Sequence, residues 1–170
     1  MDASLITARL LHVLLGVFWA GTLMFNAIFL GPSVRDAGPD GAKVMAGLMK
    51  RRFLDIMPVV ALLNVLSGYY LYWRASAGFA PAYMRSTPGM AYGLGAVAAT
   101  VAFLIGVGIM RPSMLRAASL SQSAASAAPA DRDRAMGEVQ ALRMRAGKAG
   151  QTVAWLLGAT TAVMAVARYL

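Results

Sequence analysis

The chain has 170 residues, of which 59% are hydrophobic and 14% charged, with a net charge of +9 and a mean hydropathy of +0.61. That balance excludes a water-soluble globular domain, and the absence of cysteine excludes a disulfide scaffold and any thiolate-held zinc or iron–sulfur centre. Four stretches carry no acid, lysine or arginine, namely Leu10–Leu30, Ile56–Trp73, Gly89–Met110 and Gln151–Ala167, and each is about long enough to cross ~30 Å of hydrocarbon as a helix.

The expected fold is therefore all-α: one polytopic membrane domain over 1–170, an antiparallel bundle of transmembrane helices near 5–30, 53–73, 89–110 and 151–169. The first stretch has only Arg9 as a basic flank and no small-residue cleavage site, so it reads as a retained helix rather than a signal peptide. It should stop at Gly31-Pro32, because proline lacks a backbone donor and disfavours helix in the residue before it. From Pro39, the residues Val44, Met45, Leu48, Met49 and Phe53 repeat at helical spacing and predict an interfacial helix before the chain enters the membrane at Asp55. Arg51 and Asp55 stand at i, i+4 and are expected to form a local ion pair, with a proton-relay role for Asp55 as the alternative. Pro58 should kink the second span, which ends in Tyr69, Tyr70, Tyr72 and Trp73, a set suited to a headgroup belt.

The short connection 75–88 reads as a strap across the bundle mouth. The third span is rich in small residues, Gly89, Gly93, Gly95, Ala99, Ala102 and Gly106, which allow close approach of a neighbouring backbone or a flat ligand. In the connection 111–150, the Ala/Ser-rich segment 117–130 is expected to be partly mobile. A helix start at Pro129 and Asp131 follows, with Val139, Leu142 and Ala146 in phase with Val153, so an amphipathic helix should merge into the fourth span.

Charge sets the expected orientation. Twelve of the sixteen basic residues fall in 31–52 and 111–150, and only Arg9, Arg74, Arg85 and Arg168 lie on the other side. The positive-inside rule then predicts both basic loops in the cytoplasm and both termini outside. It also makes the basic balance a topology signal rather than a sign of nucleic-acid binding.

One histidine is present, His12, inside the first span. Arg9, His12, Gly16, Trp19 and Asn26 share one stripe of that helix, and polar groups in lipid are costly unless the stripe faces protein. A neutral imidazole can ligate haem iron or copper with a thioether opposite it. Met164 in the fourth span and Met90 at the start of the third are the candidate thioethers, and Arg9, Arg74, Arg85 and Arg168 on the same side are candidates for haem propionates. An interhelical bond for His12 and simple core packing for the methionines are the competing assignments. Two copies of His12 across a two-fold axis would supply bis-histidine ligation in a homodimer. Asn64, Ser67 and Thr100 are expected to bond between helices.

The run Leu11-His12-Val13-Leu14-Leu15-Gly16-Val17-Phe18-Trp19-Ala20-Gly21 resembles the first helix of the copper-resistance D-like membrane proteins and of the small protoporphyrinogen-oxidase-like membrane proteins of bacteria, and Ser67-Gly68-Tyr69 resembles the end of their second helix. The resemblance implies a four-helix bundle in a bacterial inner membrane, with the first-helix histidine near a haem or a copper path. The second histidine of the oxidase-like group would fall near Ser33, and its basic residue in the third helix has no counterpart in 89–110. Three functions follow as expectations: a haem b-binding or redox-active protein with His12, Met164, Met90, Arg9 and Trp19 around the cofactor, a copper-handling protein, or a non-catalytic subunit of a larger membrane complex.

Overall fold

A computed structural model describes residues 2–126 and 128–170, with Pro39 described by its backbone alone. Every element among them is helical: α1 (Ala3–Phe25), α2 (Gly31–Asp36), α3 (Gly38–Lys50), α4 (Phe53–Ala75), α5 (Pro81–Met84), α6 (Thr87–Ile105), α7 (Arg111–Ala124) and α8 (Pro129–Val166). Four continuous helical stretches are long and apolar enough to cross a membrane, Ala3–Asp36, Phe53–Ala75, Thr87–Ala124 and Pro129–Tyr169. The chain is a multi-pass membrane protein built as a four-helix bundle. In it α1 packs most closely on α4 and α6 on α8, while α1–α8 and α4–α6 close the ring.

Local chemistry explains the element ends. The Asp2 carboxylate accepts a bond from the Ser4 amide at 3.0 Å and opens α1, and the Ser86 hydroxyl does the same for α6 with the Gly89 amide at 3.2 Å. The Asp2 carboxyl is held below its ordinary value of 3.8, first by the bond from the Ser4 hydroxyl and further by Arg74, its ion-pair partner from the end of α4. A depressed carboxyl pKa stabilises the fold above the ordinary value and loses that contribution as pH falls through the depressed one. Protection factors of the amides in the first turn of α1, corrected for intrinsic exchange, should therefore fall as the pH drops below about 4, and Asp2→Asn should remove that fall.

The first span does not stop at Gly31-Pro32. A π-helical turn over Asn26–Leu30 sends the Gly31 amide five residues back to the Asn26 carbonyl, and the helix continues to Asp36. Widening by one residue makes room for the proline ring in the next turn. The same device recurs at the end of α6, where the π turn Gly106–Met110 sends the Arg111 amide to the Gly106 carbonyl just before Pro112.

The interfacial helix between the first two spans is present as α3, but it does not run into α4. Arg52 takes a left-handed conformation at φ 58° and breaks the chain direction. That break also removes the expected Arg51–Asp55 register. Asp55 is paired instead with Arg52 at 3.5 Å and with Arg111 at 3.1 Å.

The Ala/Ser-rich connection is ordered as α7 up to Ala124, in place of the expected mobile segment, and Ala127 lies outside the described residues. Ser113, Ala117 and Ala124 are buried in α7, and Val139, Ala146 and Ala149 are buried in α8, which packs along it. Small side chains let the two backbones close together, as between membrane helices. An Arg116–Glu138 ion pair at 2.6 Å joins the hairpin on its outer side. At 38 residues α8 is about 57 Å long, roughly twice the hydrocarbon thickness, so its first half and α7 extend beyond the membrane.

The core is formed by Trp19, Leu23, Met57, Ala61, Ala102, Val153 and Leu157. It lies toward the basic end of the bundle, the end that carries Arg52, Arg111 and the α7–α8 hairpin.

Candidate functional site

His12 lies in the seam between α1 and α4, and two glycines make the seam close. A Cβ at Gly68 of α4 would lie 2.8 Å from His12 Cε1, and a Cβ at Gly16 of α1 would lie 3.0 Å from Asn64 Nδ2. Each helix gives up a side chain where the other places a polar one.

Hydrogen bonds then fix the imidazole. Its Nδ1 lies 2.9 Å from the Asn64 carbonyl oxygen. A carbonyl only accepts, so Nδ1 carries a proton, and in the neutral ring the lone pair is then on Nε2. The neighbours fit this tautomer. Asn64 Nδ2 stands 3.4 Å from Nδ1 but donates to the His12 carbonyl at 2.7 Å, and the Ser67 hydroxyl, also 3.4 Å from Nδ1, donates to Leu63 O at 2.7 Å. Asn64 and Ser67 are buried, whereas His12 is half-buried. Among the described residues Nε2 has no hydrogen-bond partner, and the one buried polar side-chain atom without a bond is Thr160 Oγ1 in α8. Nε2 is therefore not fully sealed inside the bundle.

The other residues singled out from the sequence lie elsewhere. Met164 packs against Gly95 in the α6–α8 seam, where a Cβ at Gly95 would meet its Cε at 2.5 Å. Met90, in the first turn of α6, is 50% exposed, and Arg9 is exposed one turn before His12. Trp19 is 4% exposed and belongs to the core two turns further along α1. Of the remaining basic residues at this end, Arg74 is paired with Asp2, and Arg168 stacks over the Tyr169 ring at 5.0 Å. The interhelical polar bonds expected of Asn64 and Thr100 are present, the latter with Tyr69 Oη at 3.1 Å. No group of three or more His, Cys, Asp or Glu able to hold a metal occurs among the described residues.

A second polar constellation stands at the basic end, joining residues 54 and 55 to residue 111, far away in sequence. Pro58 has no amide hydrogen, so the Leu54 carbonyl one turn before it has no helical donor. Arg111 Nε fills that gap at 3.0 Å while its Nη2 reaches Asp55. The signal was Pro58 itself, a proline four residues after a carbonyl that must find another donor. Beside it lies an apolar crevice of about 40 Å³ between α4 and α6, with Trp19 behind it.

Comparison with protein-family models, with curated proteins and with solved structures finds no match to this chain.

Proposed function

We propose that this protein binds haem b at the membrane surface of its α1–α4 seam, with His12 Nε2 as axial ligand. The observation that carries the reading is the bond from His12 Nδ1 to the Asn64 carbonyl, which leaves Nε2 as a fixed, accessible lone pair. Metal-ligating histidines are oriented in this way by a backbone carbonyl on the other nitrogen. The crevice beside Trp19 holds about 40 Å³, too little for a porphyrin, and His12 does not line it. The ring must then be covered from outside, and a second copy of the chain meets that need and adds a second His12. Arg9, one turn away and exposed, would meet a propionate. Haem supplies one-electron chemistry when bound, and this chain's part is to hold the imidazole, fix its tautomer and exclude water. The concentration of basic residues at one end orients that end toward the cytoplasm of a bacterial inner membrane, with both termini and His12 on the outer side.

The test is an optical spectrum of protein purified after haem-replete expression. A Soret band with one haem per two chains is expected, lost in His12→Ala. Colourless protein that retains copper by metal analysis would move the lone pair to the copper reading, which uses the same nitrogen. A second assignment, as a non-catalytic subunit of a larger complex, is favoured by the protruding α7–α8 hairpin, whose Arg134, Arg143 and Arg145 are exposed. Protein free of haem and metal that co-purifies with a stable partner, with His12→Ala assembling as well as wild type, would establish it.

A further inference from the structure

We propose that the crevice between α4 and α6 takes one acyl chain of an anionic phospholipid, whose phosphate is met by Arg111 and Arg52. The inference is independent of the haem reading, since crevice and imidazole lie at opposite ends of the bundle. Phe53 and Met57 of α4, Phe103 of α6 and Gly106 of the π turn form the walls, and Trp19 closes the back. Apart from Arg111 the lining has no charged side chain. Space of this size without polar partners suits hydrocarbon rather than water, and it admits a few methylene groups but no fused ring.

The mouth supplies the second half of the recognition. Arg111 and Arg52 share a single carboxylate, Asp55, so the rim keeps one uncompensated positive charge. Neither arginine is sealed, with side-chain exposures of 39% and 78%. Nη1 of Arg111 has no protein partner among the described residues. These guanidinium groups also sit at a fixed depth. Asp55 lies one residue before the charge-free run of the second span, and Arg111 directly follows that of the third. That is the level of phospholipid phosphates, where arginine meets anionic headgroups and acyl chains begin. An acyl chain enters sideways below them, between Phe53 and Phe103, toward Trp19.

Trp19 makes the inference testable. The other two tryptophans, Trp73 and Trp155, are 45% and 67% exposed and would meet bulk lipid, so Trp73→Phe/Trp155→Phe leaves Trp19 as the only emitter. This protein is placed in phosphatidylcholine vesicles carrying an equal fraction of dibrominated-chain phosphatidylglycerol or dibrominated-chain phosphatidylcholine. We expect Trp19 to be quenched by the brominated anionic lipid at about one-fifth the concentration needed for the neutral one. Arg52→Gln should erase most of that preference while leaving the Arg111–Leu54 bond in place. Gly106→Leu, at a position where a Cβ meets nothing within 4 Å, should fill the crevice and abolish quenching with the bundle intact by circular dichroism. Equal quenching by both lipids, quenching that survives Gly106→Leu, or an unquenched Trp19 would each overturn the proposal.

Discussion

Gly68→Ala should destabilise the bundle by about 1–3 kcal/mol, the usual cost of forcing an extra methyl into a packed seam. The added carbon would stand 2.8 Å from His12 Cε1, well inside van der Waals contact, so the ring must move away from α4. Moving it stretches the Nδ1 bond to Asn64 O, and among the described residues that carbonyl has only the Ser67 hydroxyl as another side-chain donor. The sign should reverse once the ring is gone. In a His12→Ala background the same substitution meets no imidazole, and alanine's better helix propensity makes it neutral or stabilising by up to about 1 kcal/mol. Unfolding in mixed micelles with increasing sodium dodecyl sulfate measures all four proteins of the cycle. An equal cost of Gly68→Ala in both backgrounds would mean that the glycine does not serve the histidine.

How far the sequence reveals this arrangement depends on the range of the interaction. The four spans are legible because a charge-free run of the required length has few alternatives in lipid. The polar stripe of α1 was legible too, since His12, Gly16 and Trp19 share a helical face, and their three environments now differ by partner: the His12 ring over Gly68, Gly16 against Asn64, Trp19 in the core. The partners across the seam were harder to read, because α1 and α4 are about fifty residues apart in sequence. Asn64 and Ser67 stood out as polar residues in a span, but nothing local says that the Asn64 carbonyl faces an imidazole. Local rules failed where backbone geometry changed. Gly31-Pro32 reads as a stop only if the turn before it is α-helical, and the π turn removes that premise. Arg51 and Asp55 read as neighbours only if the helix is continuous, and Arg52 at φ 58° interrupts it. The 117–130 segment looked mobile from its alanines and serines. Those small residues are what allow α7 to lie against α8, a tertiary contact that composition does not report.

Arg111→Met should cost about 1–3 kcal/mol, because it leaves the Leu54 carbonyl without a donor and deprives Asp55 of the closer of its two arginines. The lower half of that range is expected, since the Arg111 side chain is 39% exposed and its pairing with Asp55 is screened. Methionine keeps the length and the apolar stem, so packing at the end of α6 changes little. The decisive comparison is made in a Pro58→Ala background. Alanine at 58 restores a backbone amide four residues after Leu54, and the carbonyl then has a helical donor of its own. In that background Arg111→Met should lose only the ion pair, within about 0–1 kcal/mol. Unfolding in mixed micelles again gives the cycle, and infrared spectra of a ¹³C-labelled Leu54 carbonyl would report its bonding directly. The labelled band should shift to higher frequency in Arg111→Met and return in the double variant. A carbonyl band unmoved by Arg111→Met would show that the guanidinium serves Asp55 alone, and that the gap left by Pro58 is filled from elsewhere.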